Sequence, residues 1–509
     1  MDYLIRFSTQ HESFRLAEVE ALTTLLNEKL RRHNVTGRRF EEVQVDVIEY
    51  SPSSPFCVLR FSQPNRESDN ESEADQTHLE YFASQFISKS IEAKAIYELW
   101  GHGHDYASLH AGVRSRSKRL WSRYEHNVSF KFSVDTYGGK RSSSEQREII
   151  NQFAYLGFKG KIEMKNPDRE WSVMEEWSGM AISGMVASPE QADDVAQASP
   201  VQDAITPRVL RHVFLARLIA PSRRHLIEKH DLKKRPYIST TSMDAELALI
   251  TANLALASPG KLFLDPFCGT GGFMVAAAEL GATVLGCDID GRSFRGKGEG
   301  LEKGVIKNFR KYGLEGLFGN CITSDLTNSP LRLVGRRWLD GIIADIPYGI
   351  REGLKVLGRR QPLEEGRVPS KPHLIDGVPA FTLPGYIAPK RPYSFNRLLD
   401  DILDFAARTL VDGGRLAFWM PTANENEQGD EQETAVPGHS SLELKHQCIQ
   451  RFNKWSRRLL VYERVSGEVE AGLTESLRKL SVNGTNADDL NDFRRRYFQA
   501  FESKASSQE

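Results

Sequence analysis

Apolar positions in this chain follow two different periods. Tyr3 to Phe7 alternate, which predicts a half-buried strand. Leu16, Val19, Leu22, Leu26 and Leu30 then recur at steps of three and four, which predicts a helix with one buried face. Val43–Ile48 and Phe56–Phe61 predict two further strands, so the N-terminal part reads as a small α/β unit. Residues 65–77 are polar and acidic and predict a solvated loop. A helix is predicted over Phe82–Tyr97, and the alternation of Val128, Phe130 and Phe132 predicts a strand. From about 236 to 466 the pattern becomes repeated strand–helix. Met243, Leu247, Ile250 and Leu254 form a helical stripe. Lys261–Asp265, Thr283–Asp288, Gly341–Asp345 and Arg415–Met420 are short apolar runs of the buried-strand type. That alternation predicts a doubly wound, mostly parallel sheet with its ligands at the carboxyl ends of the strands. The predicted division is a first region over 1–185, a connection over 186–207 rich in Ala, Ser, Pro, Gln and Asp, an α/β domain over 208–466, and a helical or flexible tail over 467–509. The stretch 352–394 reads as a long insertion and 422–439 as an exposed loop.

Composition narrows the class only a little. The 509 residues include 67 basic and 68 acidic side chains, a net charge of -1 that excludes a uniformly basic nucleic-acid coat but not local basic surfaces. Two such surfaces are candidates. Arg114, Arg116, Lys118, Arg119 and Arg123 interleave with Trp121 and Tyr124. Between Arg208 and Arg235 nine cations stand against Glu228 and Asp231 alone, which offers a phosphate-contacting surface or simply a basic helix and linker. No run is long and apolar enough to cross a bilayer, and no C-x-x-C pair suggests a zinc knuckle. A reduced, cytoplasmic protein with no resident metal and no membrane partner is expected.

Three motifs carry the chemistry. Leu262–Phe273 reads Leu-Phe-Leu-Asp-Pro-Phe-Cys-Gly-Thr-Gly-Gly-Phe: a strand ending in Asp265, then a glycine-rich turn into a helix. Its glycines fit neither the G-x-G-x-x-G nor the P-loop spacing. An acid just before the turn suits a cationic or hydroxyl-bearing ligand better than a pyrophosphate. The second strand ends at Asp288, 19 residues past Gly269, near the offset at which such an acid meets ribose hydroxyls. The third ends in Asp345-Ile346-Pro347-Tyr348, where a carboxylate and a following backbone carbonyl can face one amino group while Tyr348 lies on a planar ring.

Asp265-Pro-Phe-Cys-Gly-Thr-Gly followed by Asp345-Ile-Pro-Tyr resembles the class I S-adenosylmethionine-dependent amino-methyltransferases. Tyr237–Ile250 and Tyr348-Gly-Ile-Arg-Glu-Gly353 narrow this to the catalytic subunits of eukaryotic tRNA (guanine-10-N2)-methyltransferases. The resemblance implies a Rossmann-like class I methyltransferase domain preceded by an α+β ferredoxin-like and THUMP RNA-binding region. It implies S-adenosyl-L-methionine as cofactor, tRNA as substrate, and a small zinc-binding activator subunit as partner. It implies that Asp345, Ile346, Pro347 and Tyr348 hold the target base. Thr241, Asp265, Phe267, Gly269, Gly271, Asp288 and Asp325 are implied to hold the cofactor. The family usually has proline where this chain has Ile346. Two alternatives use related residues: a DNA adenine-N6 or protein glutamine methyltransferase, and a non-catalytic RNA-binding scaffold.

Overall fold

A computed structural model describes residues 2–34, 42–63, 73–178, 208–296, 303–331, 337–349, 354–358, 374–383, 386, 388–423, 436–452 and 455–466. The connection expected over 186–207 and the tail expected over 467–509 lie outside the described residues, as do residues 359–373 of the 352–394 insertion. The chain forms two units. One contains residues 1–12, 26–89 and 93–223; the other contains 13–25, 90–92 and 224–509.

The first unit is built on a seven-stranded sheet. Its strands are β1 (Asp2–Phe7), β2 (Gln44–Tyr50), β3 (Phe56–Ser62), β4 (Ala93–Gly103), β5 (Phe130–Tyr137), β6 (Arg169–Trp177) and β7 (Leu210–Pro221), in the order β2-β3-β1-β4-β7-β6-β5. All neighbours are antiparallel except β5 and β6. Trp100, Trp171, Phe153 and Leu156 anchor one buried cluster of this unit, with Trp121 and Tyr124 packed against it. The aromatic rings of the basic 114–124 segment therefore face inward, while Lys118, Arg119 and Arg123 are exposed.

Three expectations change here. The helix expected over Phe82–Tyr97 instead runs Glu73–Ile87, and residues from Ala93 onward join β4, because Tyr97 and Glu98 pair with both β1 and β7. Leu16 is 38 % exposed, although Val19, Leu22, Leu26 and Leu30 are buried as expected. The boundary expected at 208 moves to about 223, since β7 pairs with β4 and β6. Of the basic run that begins there, Arg217 and Arg235 are buried, whereas Arg208, Arg211, Lys229, Lys233 and Lys234 are exposed. Arg217 is buried between Glu98 (2.8 Å) and Glu80 (2.7 Å), Arg224 pairs with Glu246, and Lys229 with Glu279.

The second unit carries the predicted doubly wound sheet. The strands β8 (Leu262–Asp265), β9 (Thr283–Asp288), β10 (Phe318–Thr323) and β11 (Leu339–Asp345) precede two small hairpins. These hairpins are β12 (Lys355–Leu357) with β15 (Lys390–Pro392), and β13 (Leu374–Ile375) with β14 (Val378–Pro379). β16 (Leu410–Ala423), β17 (Leu442–Arg451) and β18 (Trp455–Arg464) complete the main sheet, in the order β10-β9-β8-β11-β16-β18-β17. The first five are mutually parallel, and only β18 runs against its neighbours. Helices Ala245–Leu254 and Gly272–Glu279 pack in one core cluster and Phe395–Thr409 in the other. Coverage on both faces explains why β11 and β16 read as unbroken apolar runs. No helix among the described residues is long and apolar enough to cross a membrane.

Candidate functional site

Each of three parallel strands ends in an acid, and the parallel register brings the three tips together. Asp265 closes β8, Asp288 closes β9 and Asp345 closes β11. They line one cavity of about 1050 Å³ together with Thr241, Phe267, Gly269, Ile346, Pro347 and Tyr348. Two expected site residues lie outside its lining. Gly271 is the residue before helix Gly272–Glu279. It has φ +77°, and a side chain there would collide with Val305, so glycine is required twice over. Asp325 lines a smaller cavity of about 50 Å³ that shares Phe267, Ile289 and Pro347 with the first. Its carboxylate accepts the N–H of Leu357 (2.7 Å) and of Thr327 (2.9 Å).

Backbone amides hold the acids in place. Asp265 accepts the Phe267 N–H at 3.0 Å. Asp288 accepts the N–H groups of Gly269 (3.0 Å) and Asp290 (2.8 Å), so the glycine turn is tied to the tip of β9. Gly269 has φ +49°, which lets its amide turn toward that carboxylate. Burial raises the pKa of Asp265 well above the usual range; the Phe267 amide opposes this, and the charges of Asp288 and Asp345 add to it. Asp288 is raised by burial against the same kind of amide bonds. Among the described residues neither Asp265 nor Asp288 forms an ion pair. Burial also raises Asp345, opposed by a hydrogen bond from Tyr348 and by the charge of Arg457. The Tyr348 hydroxyl donates to Asp345 Oδ1 at 2.5 Å. Asp265 and Asp288, two buried carboxylates converging with no ion pair among the described residues, complement a ligand that brings positive charge and hydroxyl donors.

Ile346 is 1 % exposed and packs in the core cluster behind β11. Its side chain is held in that packing. Sequence reasoning missed three supports of the site. Asn308 is fully buried; it accepts the Tyr237 N–H (3.0 Å) and donates to the carbonyls of Tyr237 (2.8 Å) and Thr270 (3.2 Å), which ties the 237–243 segment to the glycine turn. Trp455 stands edge-on to Tyr348, with ring centroids 6.2 Å apart. Arg457 is the third. Nothing local in the sequence marks these residues.

Comparisons with known proteins match this architecture. Residues 1–193 match the family model described as Tmrp11 THUMP N-terminal domain, and residues 233–359 match the RMKL-like methyltransferase domain. A Saccharomyces cerevisiae protein named tRNA (guanine(10)-N(2))-methyltransferase is 37 % identical over 502 residues, spanning 98 % of this chain and 99 % of that one. A Schizosaccharomyces pombe protein of the same name is 32 % identical over 522 residues, spanning 98 % and 96 %. The Homo sapiens tRNA (guanine(10)-N(2))-methyltransferase TRMT11 is 29 % identical over 518 residues, spanning 100 % and 97 %. With a THUMP-type N-terminal region, a methyltransferase sheet and end-to-end similarity to these relatives, the chain belongs to the tRNA (guanine(10)-N(2))-methyltransferase family.

Proposed function

We propose that this chain methylates the exocyclic N2 of guanosine 10 in tRNA, with S-adenosyl-L-methionine as methyl donor. The observation that carries the reading is the convergence of Asp265, Asp288, Asp345 and Tyr348 on one cavity in a member of this family. The donor supplies an electrophilic methyl group and departs as a neutral thioether. Asp288 accepts its ribose hydroxyls, and Asp325 stands on the side of the adenine amine. Thr241, Phe267 and Gly269 line the methionine side, with Gly271 completing the turn, and there the buried charge of Asp265 complements a cation.

The guanine amine is a weak nucleophile because its lone pair is delocalised into the ring. Asp345 and the Ile346 carbonyl accept its two N–H bonds, which favours a pyramidal nitrogen and aims its lone pair at the methyl group. Tyr348 stacks on the extruded base and offsets part of the few kcal/mol needed, roughly, to unstack it. Positioning of nitrogen and methyl group in line supplies much of the acceleration. After transfer the nitrogen carries one proton too many. Asp345, with a pKa above the ordinary carboxylate range, is the base beside it.

On this proposal the chain works in the cytoplasm as catalytic subunit beside a small zinc-binding activator. The activator covers an edge of the catalytic sheet such as β10, most of which is exposed. The test is to incubate the chain, with and without the activator, with labelled S-adenosylmethionine and separate pools of tRNA, DNA and protein. Label in N2-methylguanosine at position 10 of tRNA is the expected result. Label in adenine or glutamine, or no binding of donor by calorimetry, would favour the DNA, protein or scaffold readings.

A further inference from the structure

Arg457 lies on β18, opposite Pro421 and beside the tip of β16, next to the Asp345-Ile-Pro-Tyr turn. It is held from several sides. Its guanidinium sits over the Trp419 ring at 4.8 Å and near the Phe452 ring at 5.6 Å, and its Nε donates to Gln450 Oε1 at 2.5 Å. Burial raises the pKa of both Asp345 and Tyr348, the charge of Arg457 opposes that rise, and Arg457 hydrogen-bonds Tyr348. Phe452 and Trp455 stack at 4.7 Å, and Trp455 in turn abuts Tyr348. A cation held by Gln450, Tyr348 and aromatic rings therefore sits beside the acid that, on the proposal above, faces the amine.

We propose that Arg457 reads the identity of the target base by donating to its ring carbonyl, the O6 of guanine. The proposal rests on the reading that Asp345 holds the amine. An arginine head is donor-only, so it accepts a base with an oxygen at position 6 and opposes one with an amine there. Arginine paired with the O6 edge of guanine is also the commonest base-specific contact in nucleic-acid recognition. Asp345 alone cannot make this distinction, because it sees only N–H bonds. Acid and arginine together demand an amine and a carbonyl on one ring, which guanine and cytosine present and adenine and uracil do not.

The test uses the full chain with its activator and two tRNAs, one carrying guanosine and one 2-aminopurine at position 10. Both bases carry the N2 amine, and only guanosine carries O6. The wild type is expected to favour guanosine in kcat/KM by about 10- to 100-fold, as for loss of a charged hydrogen bond. Arg457→Met is expected to lose a similar factor on guanosine and little on 2-aminopurine, so that the preference collapses; Arg457→Lys should recover part of it. Donor affinity, read by calorimetry, should stay unchanged in both variants. Equal losses on both bases would mean that Arg457 only supports the fold, tunes Asp345 or contacts phosphate, and would overturn the proposal. So would a wild-type enzyme that does not distinguish the two bases, a result that needs no variant. If the wild type methylates neither base at N2, the underlying reading falls as well, and the two failures are told apart.

Discussion

Two sets of carboxylates in the second unit are built on opposite principles. Glu20 and Glu463 share Arg415: its guanidinium lies 2.8 Å from Glu20 and 3.0 Å from Glu463, and His446 adds a contact to Glu20 at 2.9 Å. Burial alone would raise the pKa of Glu20, but the hydrogen bonds from His446 and Arg415 and their charges outweigh it and hold it at about 2. The tip acids Asp265, Asp288 and Asp345 are equally conspicuous charges, yet their pKa values are pushed up by burial. The first set is satisfied internally and holds the fold together. The second is left incomplete around a cavity, and its missing partners are what a ligand brings.

The sharpest way to break this contrast is to neutralise one member of each set. Asp345→Asn is expected to lower kcat by about 10²–10⁴-fold, the range for removing a positioned acceptor or base, with thermal stability unchanged or raised. Unfolding midpoints measured beside single-turnover rates check both halves. Arg415→Met should do the reverse. It strands two carboxylates and is expected to cost about 3–5 kcal/mol of stability in denaturant melts, while donor affinity in the folded protein is retained. Asp288→Asn is expected to weaken donor binding by about 10- to 100-fold in calorimetry, as for loss of charge-assisted hydrogen bonds, with little effect on the melt.

The smallest effect is a pH dependence of stability. The pKa of Glu20 is depressed in the folded state, so its contribution is complete above about 4.5, its value in the unfolded chain, and is lost as pH falls through about 2. Because the side chain is 38 % exposed, solvent screening limits this to about 1–2 kcal/mol. Glu20→Gln should remove that part of the acid-induced loss. An unaltered acid melt would show that the Arg415 network is not what distinguishes the two sets.

Much of the site was legible because its signal is local. An apolar run that ends in an acid marks both a buried parallel strand and its tip, and three such runs named Asp265, Asp288 and Asp345 before any coordinates. The parallel register then brought them together. What failed to show was non-local or disguised. Arg217 is charged, so β7 read as surface, yet ion pairs with Glu98 and Glu80 let it sit in the middle of a sheet. β10 lacks an apolar run because it is an edge strand with four of its six residues exposed, which periodicity cannot distinguish from a loop. Arg457 reaches the site only through the antiparallel return of β18 along β16, a pairing that nothing in its neighbourhood announces.

On the proposed mechanism an ionised Asp345 grips the base's amine. The most direct test is the single-turnover methyl-transfer rate, at saturating donor and tRNA, as a function of pH for the wild type and for Asp345→Asn. The wild-type rate should rise with pH through an apparent pKa above the ordinary carboxylate range, since burial raises this group and only its charged form accepts both the N–H bond and, later, the proton. The variant should show no such limb and a low, flat rate. The same limb in both proteins, or a variant as fast as the wild type, would contradict the claim.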